Sequence, residues 1–250
     1  MNEINLEEII NKVKSEGFYI FHNYINRELT DLIKKEYFSA MDSISLKPAG
    51  EKLNPSRLSF SPWRKLAVGS KNGLGEKYSQ VLQTMYFSQN DSNRPSLSYA
   101  FNHLINLRNN LSGMRLDYGG DLDNDQFWNA CRVHHYPCGG GHMAMHRDTG
   151  FPVVLKDFQI PFVQIMLTLT SRGSGFDKGG GYIVKPDNTT VFFENDSNEG
   201  SLVIFDGNTL HGVDDIDPNG LLDFSSKQGR IALFVNLYRN LSLELEDSKK

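Results

Sequence analysis

The sequence has few cysteines, and their arrangement points to neither a disulfide nor a zinc scaffold. Only Cys131 and Cys138 occur in 250 residues, with six residues between them. This spacing fits no common zinc motif, and a disulfide framework needs more than two cysteines. We therefore predict a protein of a reducing, cytoplasmic compartment.

Long apolar segments and an excess of basic residues are also absent. No segment approaches the roughly 20 consecutive apolar residues of a membrane-spanning helix, and the opening MNEINLEEII is too acidic for a secretory signal. The formal net charge of −4 argues against nucleic acid as the main partner, because nucleic-acid-binding faces are usually basic. We expect binding to neither membranes nor nucleic acid.

What the sequence does contain is enough apolar material for a sizeable core. Hydrophobic residues make up 39% of the chain and include 16 Phe. Amphipathic patterns predict helices that begin near Asn5 and Asn26, and a third helix over about 97–105. The stretch FYIF (18–21) predicts a strand, whereas residues 46–75, rich in Pro, Ser and Gly, predict irregular structure.

The pattern changes at about residue 127. From there, short runs rich in β-branched and aromatic residues alternate with clusters of Gly, Asn, Asp and Pro, as in QFWNACRVHHY, PFVQIMLTLT, SLVIF and RIALFVNLY. Six or more strands at such spacing are typical of a β-sandwich or barrel. We predict one domain over residues 1–250, mainly β with flanking helices. Residues 1–126 form its helical N-terminal support, and residues 127–240 form its β core.

Candidate metal ligands follow a glycine cluster, in HMAMHRDTG (142–150). His146 and Asp148 are two residues apart. Side chains at positions i and i+2 of an extended segment point to the same side, so both groups could reach one ion. Taken alone, the pair fits the polar edge of a loop better than a metal site.

Two other residues, both much later in the chain, change this interpretation. The strand pattern GSLVIFDG runs into NTLHGV and presents His211 where a buried strand reaches solvent. Arg230 begins the apolar strand RIALFVNLYR. A buried arginine is costly unless it meets an anion, and its planar guanidinium suits a carboxylate, although a salt bridge at the rim is the alternative. Two imidazoles and one carboxylate on one face of an ion leave three coordination positions open, which is the arrangement in non-haem Fe(II) oxygenases.

With these residues, the sequence resembles the Fe(II)/2-oxoglutarate-dependent oxygenase superfamily. That superfamily carries His-x-Asp, a distal His and an Arg or Lys on the last core strand, and here these are His146, Asp148, His211 and Arg230. The segment YPCGGGHMAMHRD resembles the prolyl-hydroxylase-like branch, in which a tyrosine ten residues before the first His binds cosubstrate. Tyr136 holds that position. The glycines of DKGGGYIV and the phrase FDGNTLHGV resemble the same superfamily.

The resemblance covers about residues 127–240 and implies a double-stranded β-helix, or jelly roll, that uses Fe(II), 2-oxoglutarate and O₂. It also implies that Arg230, Tyr136 and Gln164 hold 2-oxoglutarate. Such an enzyme hydroxylates its substrate and releases succinate and CO₂. Because related halogenases carry Gly or Ala in place of the carboxylate ligand, Asp148 favours hydroxylation or desaturation.

The substrate class follows less directly. The compact chain has no evident peptide-docking domain, which favours a small molecule such as an amino acid or related metabolite. Size and helix placement also resemble phytanoyl-CoA-hydroxylase-type and free-amino-acid hydroxylases, in which the N-terminal region shapes substrate choice. The sequence identifies neither the substrate nor the oligomeric state.

Two features depart from the family pattern. His211 and Arg230 are 19 residues apart, longer than usual, because DDIDPNGLLDFSSKQ is inserted between them. Ala232 stands where plant-type members carry Ser. The alternatives are a prolyl-type hydroxylase of protein side chains, a non-catalytic metal-binding barrel of the cupin kind, and a nucleic-acid demethylase. The demethylases carry paired arginines, but Arg230 and Arg239 do not have their spacing.

Three other histidines, His134, His135 and His142, crowd the same region. In a strand over 131–136, His134 and Tyr136 would share one face and His135 would lie on the other. Such residues are more often hydrogen-bonded in a core or at a rim than catalytic. In the stretch predicted to be irregular, three residues could clamp an anionic substrate, although a solvated loop is the more common structure there: Trp63, Arg57 and Arg64.

Overall fold

The computed structural model describes residues 5–46, 62–69, 78–148, 156, 161, 163–196 and 199–240. Its helices are α1 (Leu6–Glu16), α2 (Arg27–Ser43), α3 (Pro95–Leu111) and a single turn, α4 (Phe193–Asp196). The three long helices lie where the amphipathic patterns predicted them. None of the helices in the described residues has the length and apolar content needed to cross a membrane.

Polar caps explain where the first two helices begin. The side-chain oxygen of Asn5 accepts the backbone N–H of Glu8 at 3.2 Å, and that of Asn26 accepts the N–H of Leu29 at 2.9 Å. Each cap satisfies a donor that has no partner within its own helix. Both helices therefore begin beside the asparagines near which the sequence predicted their starts.

The strands within the described residues form one antiparallel sheet. They are β1 (Phe18–Phe21), β2 (Trp63–Gly69), β3 (Gln80–Phe87), β4 (Phe127–Pro137), β5 (Gly141–His146), β6 (Val163–Thr168), β7 (Gly180–Val184), β8 (Thr190–Phe192), β9 (Leu202–Asp206), β10 (His211–Ile216) and β11 (Gly229–Arg239). Their order across the sheet is β1-β9-β6-β11-β4-β3-β5-β10-β7-β8, and β2 pairs with β3.

The sheet curls until strands far apart in this order face each other. Gln164 on β6 donates a hydrogen bond to Asp148, which follows β5 four places away. Arg230 on β11 lies against Gly181 on β7, five places away. In a flat sheet, four or five strand spacings would separate such residues by about 20 Å. The predicted architecture, mainly β with flanking helices on a double-stranded β-helix, is confirmed.

Four of the strands, β2, β3, β5 and β10, were not predicted, and the first two of these belong to the N-terminal region. β2 lies in the stretch expected to be irregular, and β3 lies between β4 and β5. Their sequences, WRKLAVG and QVLQTMYF, mix charged and polar residues with apolar ones. Long-range pairing with β4 compensates for this weak local preference, because β propensity depends strongly on the neighbouring strand. The N-terminal region therefore supplies part of the barrel wall as well as its helices.

Alternation along β4 separates the helix-covered core from the barrel interior. Cys131 and Val133 belong to the core cluster that contains the buried faces of α2 and α3. His135 shares that face, and its Nδ1 accepts hydrogen bonds from the Gln83 amide at 2.9 Å and the Tyr37 hydroxyl at 3.2 Å. Burial lowers the pKa of His135 to about 4. As predicted, His134 and Tyr136 lie on the opposite face.

Candidate metal centre

The three predicted ligands come together where β5 and β10 pair. His146 ends β5, and His211 begins β10 directly opposite it. Asp148 Oδ1 lies 3.6 Å from His146 Nε2, and Asp148 Oδ2 lies 3.8 Å from His211 Nε2. One ligand atom of each residue lies within 4.8 Å of the other two, and no other group of His, Cys, Asp or Glu in the described ranges could hold a metal in this way.

Hydrogen bonds to the backbone orient both imidazoles. His146 Nδ1 donates to the Ala144 carbonyl oxygen at 2.8 Å, and His211 Nδ1 donates to the Thr209 carbonyl oxygen at 2.8 Å. The ring nitrogen that donates carries the proton, so Nε2 of each ring keeps its lone pair for a metal ion. Tyr78 stacks on His146 with ring centroids 4.1 Å apart and limits its rotation.

Asp148 is held by a chain of polar side chains. Gln164 Nε2 donates to Asp148 Oδ2 at 2.5 Å, and Asn236 Nδ2 donates to Gln164 Oε1 at 2.7 Å. Arg132 Nη2 donates to Asn236 Oδ1 at 2.8 Å. Gln164 was predicted to bind 2-oxoglutarate. The structure places its amide on the candidate metal ligand, and a contact with 2-oxoglutarate stays a prediction.

The surroundings of Asp148 keep it ionised. Burial opposes ionisation, but the His146 and His211 imidazoles that face the carboxylate, together with the Arg132 guanidinium, lower the pKa of Asp148 below its ordinary value. A metal ligand must be a carboxylate at neutral pH, so this balance suits the predicted role.

Arg230 lies inside the curled sheet, but a carboxylate of the same chain already contacts it. Arg230 Nε donates to Glu194 Oε1, and the two side chains are only 2% and 1% exposed. The other oxygen of Glu194 accepts the Gly181 N–H at 2.7 Å. The ion pair is therefore buried rather than at the rim. No sequence pattern pointed to Glu194, which lies in the polar stretch TTVFFEND.

The far edge of the Arg230 guanidinium carries no carboxylate in the described structure. Arg230 Nη1 is buried without a hydrogen-bond partner among the described residues, and Nη2 donates to Met166 Sδ, a weak acceptor, at 3.1 Å. The Tyr136 ring lies against this group, with its centroid 5.4 Å from Arg230 Cζ. A Cβ at Gly181 would lie 2.6 Å from Nη2, which explains one glycine of DKGGGYIV.

The other histidines lie outside the ligand cluster. His142 Nδ1 lies 2.9 Å from the Gly140 carbonyl oxygen, and its Nε2 lies 2.8 Å from Ser79 Oγ. His134 faces the barrel interior. Burial, together with the nearby cations Arg132 and Lys65, holds the pKa of His134 well below its ordinary value.

The proposed clamp of Trp63, Arg57 and Arg64 is only partly described. Arg57 lies outside the described residues. Arg64 lies on the helix side of β2, where its guanidinium donates to the Gln83 side chain and to the carbonyls of Met41 and Phe224. These bonds direct Arg64 away from the barrel interior. Phe224 belongs to the segment inserted between His211 and Arg230, so this segment packs against β2 through its hydrogen bond with Arg64.

Sequence reasoning missed two interior residues that period-2 alternation could have identified. Arg132 lies two residues before His134 on β4, on the face predicted for His134 and Tyr136. Asn236 lies six residues after Arg230 on β11 and so shares its face. Lys65 carried no such signal, because β2 was not predicted.

Comparisons with known proteins agree with the fold. No protein-family model and no curated protein matches the sequence. Similar solved structures include a prolyl hydroxylase from Trichoplax adhaerens in complex with a hypoxia inducible factor oxygen degradation domain peptide fragment (12% identity, TM-score 0.56, 96% of this chain and 91% of that one). A Pseudomonas putida prolyl-4-hydroxylase is also similar (15% identity, TM-score 0.55, 94% of this chain and 99% of that one).

A third similar structure is the non-heme alpha ketoglutarate dependent epimerase SnoN from nogalamycin biosynthesis (9% identity, TM-score 0.52, 94% of this chain and 82% of that one). At such identities the likeness establishes the fold alone. Two of these proteins are prolyl hydroxylases and the third is an epimerase, so proteins with different reactions share the fold.

Proposed function

We propose that this protein is an Fe(II)- and 2-oxoglutarate-dependent dioxygenase that hydroxylates a small molecule and releases succinate and CO₂. The observation that carries the proposal is the cluster of His146 Nε2, His211 Nε2 and the Asp148 carboxylate. Two neutral imidazoles and one carboxylate on one side of a cation are the donor set of non-haem Fe(II) sites. The backbone bonds that fix both rings support the same role.

The residues around Arg230 also fit 2-oxoglutarate. A buried guanidinium nitrogen without an acceptor is costly, and a carboxylate at the Nη1–Nη2 edge would satisfy it. Tyr136 packs on the same guanidinium and would line the cosubstrate site. We propose that Arg230 and Tyr136 hold the distal carboxylate, while Glu194 keeps the Nε edge of the guanidinium in place.

Iron and 2-oxoglutarate, when bound, supply the oxidising chemistry for C–H hydroxylation. The chain's own residues position these groups. Gln164 and Asn236 hold the Asp148 carboxylate in one orientation, and Tyr78 holds the His146 ring. Met166 and Phe205 are buried inside the barrel and keep water from the interior.

Two alternatives have less support. A cupin-like barrel binds its metal through a third His and a Glu, and the described part of the chain adds neither to the cluster. A prolyl-type hydroxylase of proteins shares the fold, and its substrate would be a peptide. The cations Arg132 and Lys65 on the interior wall of the barrel favour a small acid instead. A cytoplasmic location stays a prediction from the sequence.

The proposal is tested by cosubstrate binding and turnover. Anaerobic Fe(II)-loaded protein titrated with 2-oxoglutarate should develop the metal-to-ligand charge-transfer absorption of the chelated keto acid. In air, a suitable small molecule should stimulate succinate formation above the uncoupled rate. A protein that binds iron but shows no saturable 2-oxoglutarate signal would remove the oxygenase assignment.

A further inference from the structure

We propose that Lys65 and Arg132 form a second anion site, which binds a carboxylate of the substrate to be hydroxylated. The inference rests on the proposed function and names its substrate class. The substrate is a free carboxylic acid, such as an amino acid with its α-carboxylate unblocked, rather than a residue within a peptide chain.

Arg132 is a partly buried cation whose direct partners carry no charge. Its Nη1 donates to the Tyr238 hydroxyl at 2.7 Å and its Nη2 to Asn236 Oδ1 at 2.8 Å. Its Nε is buried and has no acceptor in the described ranges. The rings of Phe234 and Tyr238 each lie 5.6 Å from its Cζ. The geometry leaves one donor of this cation without an acceptor, and Asp148 lies two side chains away from it, beyond Asn236 and Gln164.

Lys65 brings a second cation to the same interior wall. On β2, Lys65 pairs with Thr84, which in turn pairs with His134 on β4. Its Nζ lies 5.4 Å from the centroid of the Tyr86 ring, and within the described chain no carboxylate pairs with it. Burial lowers the pKa of Lys65, and Arg132 opposes its charge further, so an anion here would stabilise the ammonium.

The charges inside the described barrel do not balance without such an anion. The two positive charges of Fe(II) would balance the two negative charges of 2-oxoglutarate. The positive charge of Arg230 balances the negative charge of Glu194. Asp148 can match only one of Lys65 and Arg132. One buried positive charge then remains, and a monoanionic substrate would neutralise it.

The site is close to the metal but separate from the proposed cosubstrate anchor. Arg132 connects to Asp148 through Asn236 and Gln164, so a small molecule can contact both Arg132 and the metal. Arg132 pairs with Phe234, four residues from Arg230 along β11. Four residues of strand separate their backbones by about 13 Å, and the two guanidinium groups pack on different rings, Arg132 on Phe234 and Arg230 on Tyr136.

A carboxylate fits the two donors better than a neutral group does. The Arg132 Nε–H and the Lys65 ammonium offer two donors from neighbouring positions, which suits two oxygens that share one charge. Tyr86 and Tyr238 flank these donors, and their hydroxyl oxygens are 3.5 Å apart. An amide at the same place would leave the remaining positive charge uncompensated, which disfavours a peptide-linked substrate.

The test compares free L-amino acids with their carboxamides. Binding is measured by saturation-transfer NMR on Fe(II)-protein under nitrogen, with and without 2-oxoglutarate, and succinate formation is then measured in air. At least one acid should bind and stimulate succinate formation. The affinity of its carboxamide should be lower by about 30-fold or by a larger factor. Lys65→Met should weaken binding of that acid about 30-fold without changing 2-oxoglutarate affinity, and Lys65→Arg should restore most of it.

The matched control is Lys35→Met, which removes an exposed lysine of α2 and should change neither affinity. Carboxamides that bind as well as the acids would overturn the proposal. So would the absence of binding by every acid at millimolar concentration, or a Lys65→Met effect on 2-oxoglutarate rather than on the acid. Repeating the acid–carboxamide comparison on metal-free protein separates the proposed anion site from the proposed dioxygenase function. A preference for the acid in that experiment reports on Lys65 and Arg132 even if iron or 2-oxoglutarate fails to bind.

Discussion

The two ends of the proposed cosubstrate pocket differ in how their charges are matched. At the metal end, one ligand atom from each of His146, His211 and Asp148 lies within 4.8 Å of the other two. At the other end, Arg230 is paired with Glu194. The first end gathers groups that could bind a cation, whereas the second compensates a cation within the chain.

The difference has a physical origin. Two neutral imidazoles can be buried at modest cost, because each ring already satisfies its N–H with a backbone carbonyl. A buried guanidinium without an anion costs several kcal/mol, about as much as a broken buried ion pair. Glu194 supplies that anion from within the chain.

The largest expected effect is at the metal end. His211→Ala should weaken Fe(II) binding by at least about 100-fold, because loss of a ligand costs more than loss of a supporting hydrogen bond. Anaerobic iron titration measures this effect, and His142→Ala, a neighbouring histidine outside the cluster, is the control. Near-native iron affinity in His211→Ala would remove this residue from the ligand set and weaken the contrast between the two ends.

The next effect is at the other end. Arg230→Ala should weaken 2-oxoglutarate binding by about 2–5 kcal/mol, roughly 30- to several-thousand-fold, because a buried carboxylate loses its cation. Iron affinity should change little. The charge-transfer titration under nitrogen measures both.

A double variant keeps this test valid if Arg230→Ala folds poorly. Arg230→Ala with Glu194→Ala removes both charges, and it should recover stability without recovering 2-oxoglutarate binding. Parent-like 2-oxoglutarate affinity in either variant would place the cosubstrate's anion site elsewhere.

Glu194→Gln sharpens the comparison directly. Gln retains an acceptor for Arg230 Nε but removes the charge that competes with the distal carboxylate, so 2-oxoglutarate should bind about tenfold tighter. Without 2-oxoglutarate the melting temperature should fall, and added 2-oxoglutarate should raise it more than in the parent. Glu16→Gln, in a solvent-accessible ion pair with Lys12, is the control. Weaker 2-oxoglutarate binding in Glu194→Gln would show that Glu194 only positions the arginine.

The smallest effect is expected for Tyr136→Phe. Loss of one neutral donor should weaken 2-oxoglutarate binding by about 0.5–1.5 kcal/mol, or about 2- to 10-fold, while the ring still packs on Arg230. A change as large as that of Arg230→Ala in the same titration would mean that the hydroxyl, rather than the arginine, dominates cosubstrate binding.

The sequence by itself determined the β-rich architecture and the three residues that the fold brings together as candidate metal ligands. Helix caps at Asn5 and Asn26 and the alternation along β4 are local features, so they can be read without a structure. The cluster of His146, Asp148 and His211 depends on a short motif and on a histidine at a strand end, and ordinary antiparallel pairing brings them together.

Only the tertiary structure decided the partners of the buried charges. Glu194, which follows β8, reaches Arg230 on β11 because the curled sheet brings together strands that are six places apart, and no local pattern encodes a contact of that range. Lys65 enters the barrel because β2 pairs with β3, although its own sequence only weakly favours a strand. Burial makes an unmatched charge costly, but which anion meets which cation depends on how the distant strands close on one another.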